Sequence, residues 1–175
     1  PRELPSEPLE RGFAVQKSQR SVTVADLERV LREAPNPANS SQSFAGGDLV
    51  LVDLLVAAPV QRHFVVIEDP LPAGLEAIDA SLATASAELD LEARAAQGAS
   101  AGTEPSRFQT SWFRQELRDD RVLFFVDHMP AGIYHYRYLA RATTLGRFVV
   151  PPTRVEEMYQ PEVFARSAAG HVEVR

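Results

Sequence analysis

Residues 133–143, I-Y-H-Y-R-Y-L-A-R-A-T, alternate with a period of two. That period belongs to a β-strand, whose successive side chains point to opposite faces. Tyr134, Tyr136, Tyr138, Ala140 and Ala142 share one face, and His135, Arg137, Leu139 and Arg141 share the other. A helix would scatter both sets around its axis. Further short runs stopped by turn residues stand at 49–56 (L-V-L-V-D-L-L-V), 64–67 (F-V-V-I), 121–127 (R-V-L-F-F-V-D), 148–150 (F-V-V) and 171–175 (H-V-E-V-R). With Phe13, Val15 and the S-V-T-V at 21–24, the pattern predicts about seven or eight strands and one or two short helices. That is the signature of an all-β, antiparallel β-sandwich.

A chain of 175 residues is long enough to bury a core without disulfide or metal staples. Residues 1–8 are proline-rich and charged, so residues 1–12 read as a linker or lead-in segment and 13–175 as a single domain. The first residue is Pro1 rather than Met and no export signal is present. We therefore expect a piece of a longer polypeptide, and the missing signal says nothing of where the parent goes.

Residues 25–34 place Leu27, Val30 and Leu31 at helical spacing, with Asp26 suited to the first turn and Pro35 at the end. A short helix is expected there, with a strand extension as the alternative. The run at 49–56 is apolar on both faces except at Asp53, and pairing it with 64–67 as a hairpin is the simplest arrangement. Glu68 to Gly74 reads as a sharp turn. Leu75, Ile78 and Leu82 would share one face of a helix within the Ala-rich 75–100. Residues 108–117, with the single tryptophan Trp112, alternate roughly as a strand.

The chemistry that this composition excludes is extensive. With no cysteine, disulfides, thiolate catalysis and cysteine-ligated zinc are ruled out, while the cytosol and the periplasm both stay open. A net charge of −6 argues against nucleic-acid binding, which needs a basic face. No apolar run approaches the ~20 residues of a membrane helix, so no direct membrane contact is expected. The four histidines, His63, His128, His135 and His171, form no close ligand pair, and no metal site is expected. The adjacent pairs Glu68-Asp69 and Glu156-Glu157 would point to opposite faces of a strand and read best as polar turn residues. No nucleophile elbow, P-loop or dinucleotide fingerprint is present. Hence no catalytic residue, no cofactor and no enzymatic activity are expected. The tyrosine stripe reads as a core face. If exposed, it would instead make a stand-alone β-sandwich binding module for a ligand or cell-surface partner.

Residues 146–166, G-R-F-V-V-P-P-T-R-V-E-E-M-Y-Q-P-E-V-F-A-R, are divided by prolines, which fix φ and lack an N–H. A short strand stops at Pro151-Pro152, and Met158 and Tyr159 follow on a punctuated segment closed by Pro161. They could be offered outward as a contact, or could plug the end of the sandwich.

Three strings occur together at characteristic spacing. They are F-V-V-I-E-D-P-L-P-A-G-L-E-A-I-D at 64–79, R-D-D-R-V-L-F-F-V-D at 118–127, and Y-L-A-R-A-T-T-L-G-R-F-V-V-P-P-T-R-V-E-E-M-Y-Q-P-E-V-F-A-R-S at 138–167. The chain from about Gly47 onward resembles the C-terminal domain of bacterial alpha-2-macroglobulins. Residues 25–44 and 81–101 match poorly and look like variable insertions. The resemblance implies a macroglobulin/immunoglobulin-like sandwich. It implies a parent that is a periplasmic, lipid-anchored protease inhibitor, which traps proteases after bait cleavage through an internal Cys–Gln thioester. It implies a C-terminal domain, counterpart of a receptor-binding domain, that packs on the thioester domain of the same chain. Met158 and Tyr159 match the Met-Tyr pair that shields the thioester in that family.

Overall fold

The computed structural model describes residues 5–33, 36, 38, 40–78 and 113–175. The expected helix face at Leu82, the strand start at 108–112 with Trp112, and the expected insertion at 81–101 lie outside them. Among the described residues thirteen strands, β1 to β13, form three sheets, and there is one helix, α1. The six-stranded sheet runs in the order β1 (Leu9–Arg11), β12 (Gln160–Arg166), β11 (Arg154–Glu157), β5 (Arg62–Pro70), β8 (Arg121–Met129), β7 (Arg114–Leu117). The four-stranded sheet orders β2 (Ala14–Val22), β4 (Leu49–Ala58), β9 (Gly132–Ala142) and β6 (Leu75–Ala77). The three-stranded sheet orders β10 (Gly146–Val150), β13 (Gly170–Val174) and β3 (Ser43–Phe44).

One hydrophobic core joins all three. Val65, Ile67 and Phe124 face it from the six-stranded sheet, Val50, Leu54 and Tyr136 from the four-stranded sheet, and Phe44, Val150 and Val172 from the third. The pairings between named strands are antiparallel except that of β13 with β3. This is an all-β sandwich.

The tyrosine stripe lines that core. Tyr134, Tyr136 and Tyr138 are all buried, so the face is unavailable to a ligand. The opposite face of β4 and β9 is covered by α1 (Val24–Arg32), where Leu27 and Val30 pack on Leu51, Leu139 and Val22. This cover explains why 49–56 is apolar on both sides. Thr23 caps the helix by accepting the Asp26 N–H at 3.3 Å, satisfying a donor that the helix itself leaves free.

Three expectations are corrected. The runs at 49–56 and 64–67 do not form a hairpin: β4 pairs with β2 and β9, and β5 pairs with β8 and β11. The link Pro59-Val60-Gln61 has no residue suited to the positive φ of a tight hairpin turn, and it carries the chain from one sheet to the other instead. Leu75 opens β6 rather than a helix, with Leu75 opposite Ala142. The carboxylate pairs are not turn residues. Glu68-Asp69 lies inside β5 and Glu156-Glu157 inside β11. Alternation splits each pair: Asp69 and Glu157 are buried, while Glu68 and Glu156 are only partly so.

Candidate functional site: the tip of the β11–β12 hairpin

β11 and β12 are joined by a two-residue turn, Met158-Tyr159, closed by the pair Glu157–Gln160. Two-residue hairpin turns usually take φ > 0 so that the turn twists with the strands. Met158 and Tyr159 do not; among the described non-glycine residues only Phe64 has positive φ. The mismatch is absorbed on β12. Glu156 pairs with Phe164 while Glu157 pairs with Gln160, leaving Pro161, Glu162 and Val163 as extra residues on that strand. Pro161 fits such a bulge because it has no N–H to lose from the ladder.

The turn lifts both large side chains out. Met158 is 43% exposed and Tyr159 is 75% exposed. Three consecutive residues of β5 hold them there. Arg62 Nη1 lies 3.6 Å from Glu157 Oε2. The His63 N–H donates to Glu157 Oε1 at 3.0 Å. The Phe64 carbonyl accepts the Met158 N–H at 2.9 Å, and the Phe64 ring meets the Tyr159 ring edge-on, with centroids 5.3 Å apart and planes at 87°. Phe64 has φ +51, a left-handed conformation that costs a non-glycine residue about 1–3 kcal/mol.

Arg62 also ties the lead-in segment to the base of this tip. Its Nη2 donates to the Gly12 carbonyl at 3.1 Å, and its guanidinium lies 5.3 Å from the centre of the Phe13 ring. Gly12 has φ +101, and a Cβ there would come within 2.8 Å of both Arg62 and Val163. The chain can pass so close only without a side chain.

The other end of the hairpin is fixed by a buried polar knot that sequence reasoning missed. Asp69 is fully buried. It accepts from Lys17 Nζ at 2.7 Å, from the Tyr138 hydroxyl at 2.6 Å and from the Thr153 hydroxyl at 2.7 Å. Thr153 and Ser167, flanking the two strands, also bond reciprocally, each at 2.9 Å, through the Thr153 N–H to Ser167 Oγ and the Ser167 N–H to the Thr153 carbonyl. Burial, with the Asp69 charge beside it, raises the Tyr138 hydroxyl well above the usual tyrosine range. The available signal was parity: Asp69 falls on the same side of β5 as Val65 and Ile67.

A second polar cluster sits beneath α1. His135 Nε2 is 2.8 Å from Asp53 Oδ1, and Arg137 donates from Nε to the same carboxylate. Arg137 Nη2 also caps the helix end by donating to the Glu33 carbonyl at 2.8 Å. Burial alone would raise the Asp53 carboxyl, but His135 and Arg137 outweigh it and hold it below the usual range. Burial lowers His135 despite the Asp53 carboxylate. Of the remaining histidines, His63 and His128 sit with ring centroids 5.0 Å apart, and His171 is exposed on β13. Among the described residues no group of three or more His, Asp or Glu side chains could hold a metal ion. No helix of the described residues is long and apolar enough to cross a membrane.

The fold is a multi-sheet β-sandwich of the macroglobulin type. The chain belongs to the bacterial alpha-2-macroglobulin family, matching its MG10 domain over residues 12–162. It is 34% identical over 155 residues, 85% of this chain, to an alpha-2-macroglobulin homolog of Nostoc. It is 36% identical over 149 residues, 83% of this chain, to an alpha-2-macroglobulin of Escherichia coli K12. It covers only 7% and 9% of those two proteins, and so spans less than a tenth of their length. Among solved structures, trypsin-activated alpha-2-macroglobulin from Escherichia coli superposes with a TM-score of 0.72 at 28% identity, over 97% of this chain and 11% of that one. A domain of this family is not an enzyme.

Proposed function

We propose that this chain is the C-terminal macroglobulin-type domain of a periplasmic, lipid-anchored protease-trapping inhibitor, with residues 13–175 as the domain and residues 1–12 leading into it through β1, which already pairs with β12. In this reading it is the counterpart of a receptor-binding domain and packs on the thioester domain of the same parent until bait cleavage. Met158 and Tyr159 cover the thioester, and the trapped proteases reach the domain only through the parent.

One observation carries the reading: two large side chains, one of them aromatic, stand exposed on a braced hairpin tip. An isolated domain gains nothing from exposing them, whereas a neighbouring surface would bury them favourably. A labile acyl bond survives only where water and amines are kept away. A polarizable thioether beside an aromatic ring makes a close apolar cover with a polar edge. Docking by a tip rather than by a core face also lets the cover leave when the parent rearranges. The trypsin-activated relative is consistent with a parent that responds to proteases.

The test is Tyr159→Ala in the full-length parent. We expect folding to be retained and methylamine to be incorporated faster than in wild type. Incorporation at the wild-type rate would count against the shield.

A further inference from the structure

We infer that Phe64 is a positioning residue that presets the tip for docking. The inference rests on the shielding reading for its purpose but not for its geometry. A strand residue with φ +51 is at home as glycine or asparagine, not phenylalanine. Two contacts repay the conformation. The turned backbone directs the Phe64 carbonyl at the Met158 N–H, 2.9 Å away. The same turn sets the ring edge-on to Tyr159, 5.3 Å between centroids. Glycine would supply the first contact without strain but not the second. Phenylalanine supplies both.

Tyr159 needs such a brace. At 75% exposed, its ring has little else to limit its rotamers, and a side chain that must be ordered on docking weakens the contact it makes. Phe64 is itself 45% exposed, so it is not a core residue whose removal would leave a closed cavity. Strain held at an exposed aromatic, aimed at an exposed aromatic, is the pattern of a prearranged contact.

The test has two arms. In the first, the 175-residue chain is labelled with 3-fluorotyrosine. It holds four tyrosines, of which Tyr134, Tyr136 and Tyr138 are buried, and Tyr159→Phe assigns the remaining fluorine resonance. Phe64→Ala and Phe64→Gly should both move that resonance toward free fluorotyrosine, with Phe64→Leu in between. The glycine variant relieves the left-handed strain, so it stays folded and keeps the test alive if the alanine variant does not. In the second arm, the same substitutions in the full-length parent should speed methylamine incorporation roughly two- to tenfold, the range expected from losing one edge-to-face aromatic pair. A Tyr159 resonance that stays put in the glycine variant overturns the role of Phe64, whatever the amine rates. A resonance that moves while amine incorporation stays at the wild-type rate upholds Phe64 as the brace and overturns the shield.

Discussion

The two ends of the β11–β12 hairpin invert the usual distribution of polarity. At its root, Asp69 and Lys17 are buried and charged; at its tip, Met158 and Tyr159 are exposed and apolar. The root obeys the rule for buried charge, since Asp69 has three donors around it and one of them is a cation. The tip breaks the rule for apolar side chains: Met158 and Tyr159 stay exposed even though Phe64 packs edge-on against the Tyr159 ring. The contrast separates two purposes within one hairpin. The root stiffens the strands against the four-stranded sheet through Lys17 and Tyr138, and the tip is spent on something outside.

The root should therefore dominate stability, and Asp69→Ala is the largest effect expected. It leaves Lys17, whose side chain is 7% exposed, buried without its carboxylate, and strips the Tyr138 and Thr153 hydroxyls of their acceptor. Removing one partner of a buried ion pair costs about 3–5 kcal/mol, measurable by urea or thermal unfolding. A cost of about 0.5 kcal/mol or less, the level of an ordinary surface substitution, would show that the root is no anchor.

How much of this could be read beforehand divides along the same line. Only the place of the tip was legible, from the prolines around Met158 and Tyr159; the strands β11 and β12 that carry it were not read, and Pro161 lies inside β12 rather than closing the segment. The tyrosine stripe was legible through its period of two, and the helix over Leu27 and Val30 through its spacing and its Asp26 first turn, whereas Thr23 and Val24, read as strand, are its cap and first residue. The root was hidden. Lys17, Asp69, Tyr138 and Thr153 come from four distant parts of the chain, and only the stacking of two sheets brings them together. Phe64 was equally invisible, because nothing in F-V-V-I announces a left-handed φ. The β4–β5 hairpin failed for a related reason: local adjacency suggested pairing, but both strands needed opposite walls of the same core.

Acid should sharpen the contrast next. The Asp53–His135–Arg137 cluster is a second buried polar site, and burial holds His135 below its ordinary value of 6.5. The unfolded chain then binds a proton on this residue more readily than the folded one. Stability is fully present above the unfolded value and falls as pH drops through the folded one. Asp53, held below its ordinary value of 3.8, adds a further loss at still lower pH. Unfolding midpoints in urea should therefore decline from about pH 7 downward, and His135→Gln should flatten the upper part of that decline. A His135→Gln profile parallel to wild type would remove the cluster as its cause. Tyr159→Ala should follow the wild-type pH profile, because the tip carries none of these groups.

The smallest effect is the most discriminating. Tyr159→Ala in this chain alone should cost no more than about 1.5 kcal/mol, the most that one edge-to-face aromatic pair contributes. The ring gives up its edge-on contact with Phe64, but most of its apolar area is already in water, so little burial is lost. If the same substitution cost about 2 kcal/mol or more in urea unfolding, Tyr159 would be acting as a structural plug over the end of the sandwich. The exposed tip would then be a consequence of packing, and the division between a stabilising root and an outward-directed tip would fail. A cost no larger than that one ring pair in the isolated chain, set beside faster amine capture in the parent, assigns the rest of what Tyr159 does to a surface outside this domain.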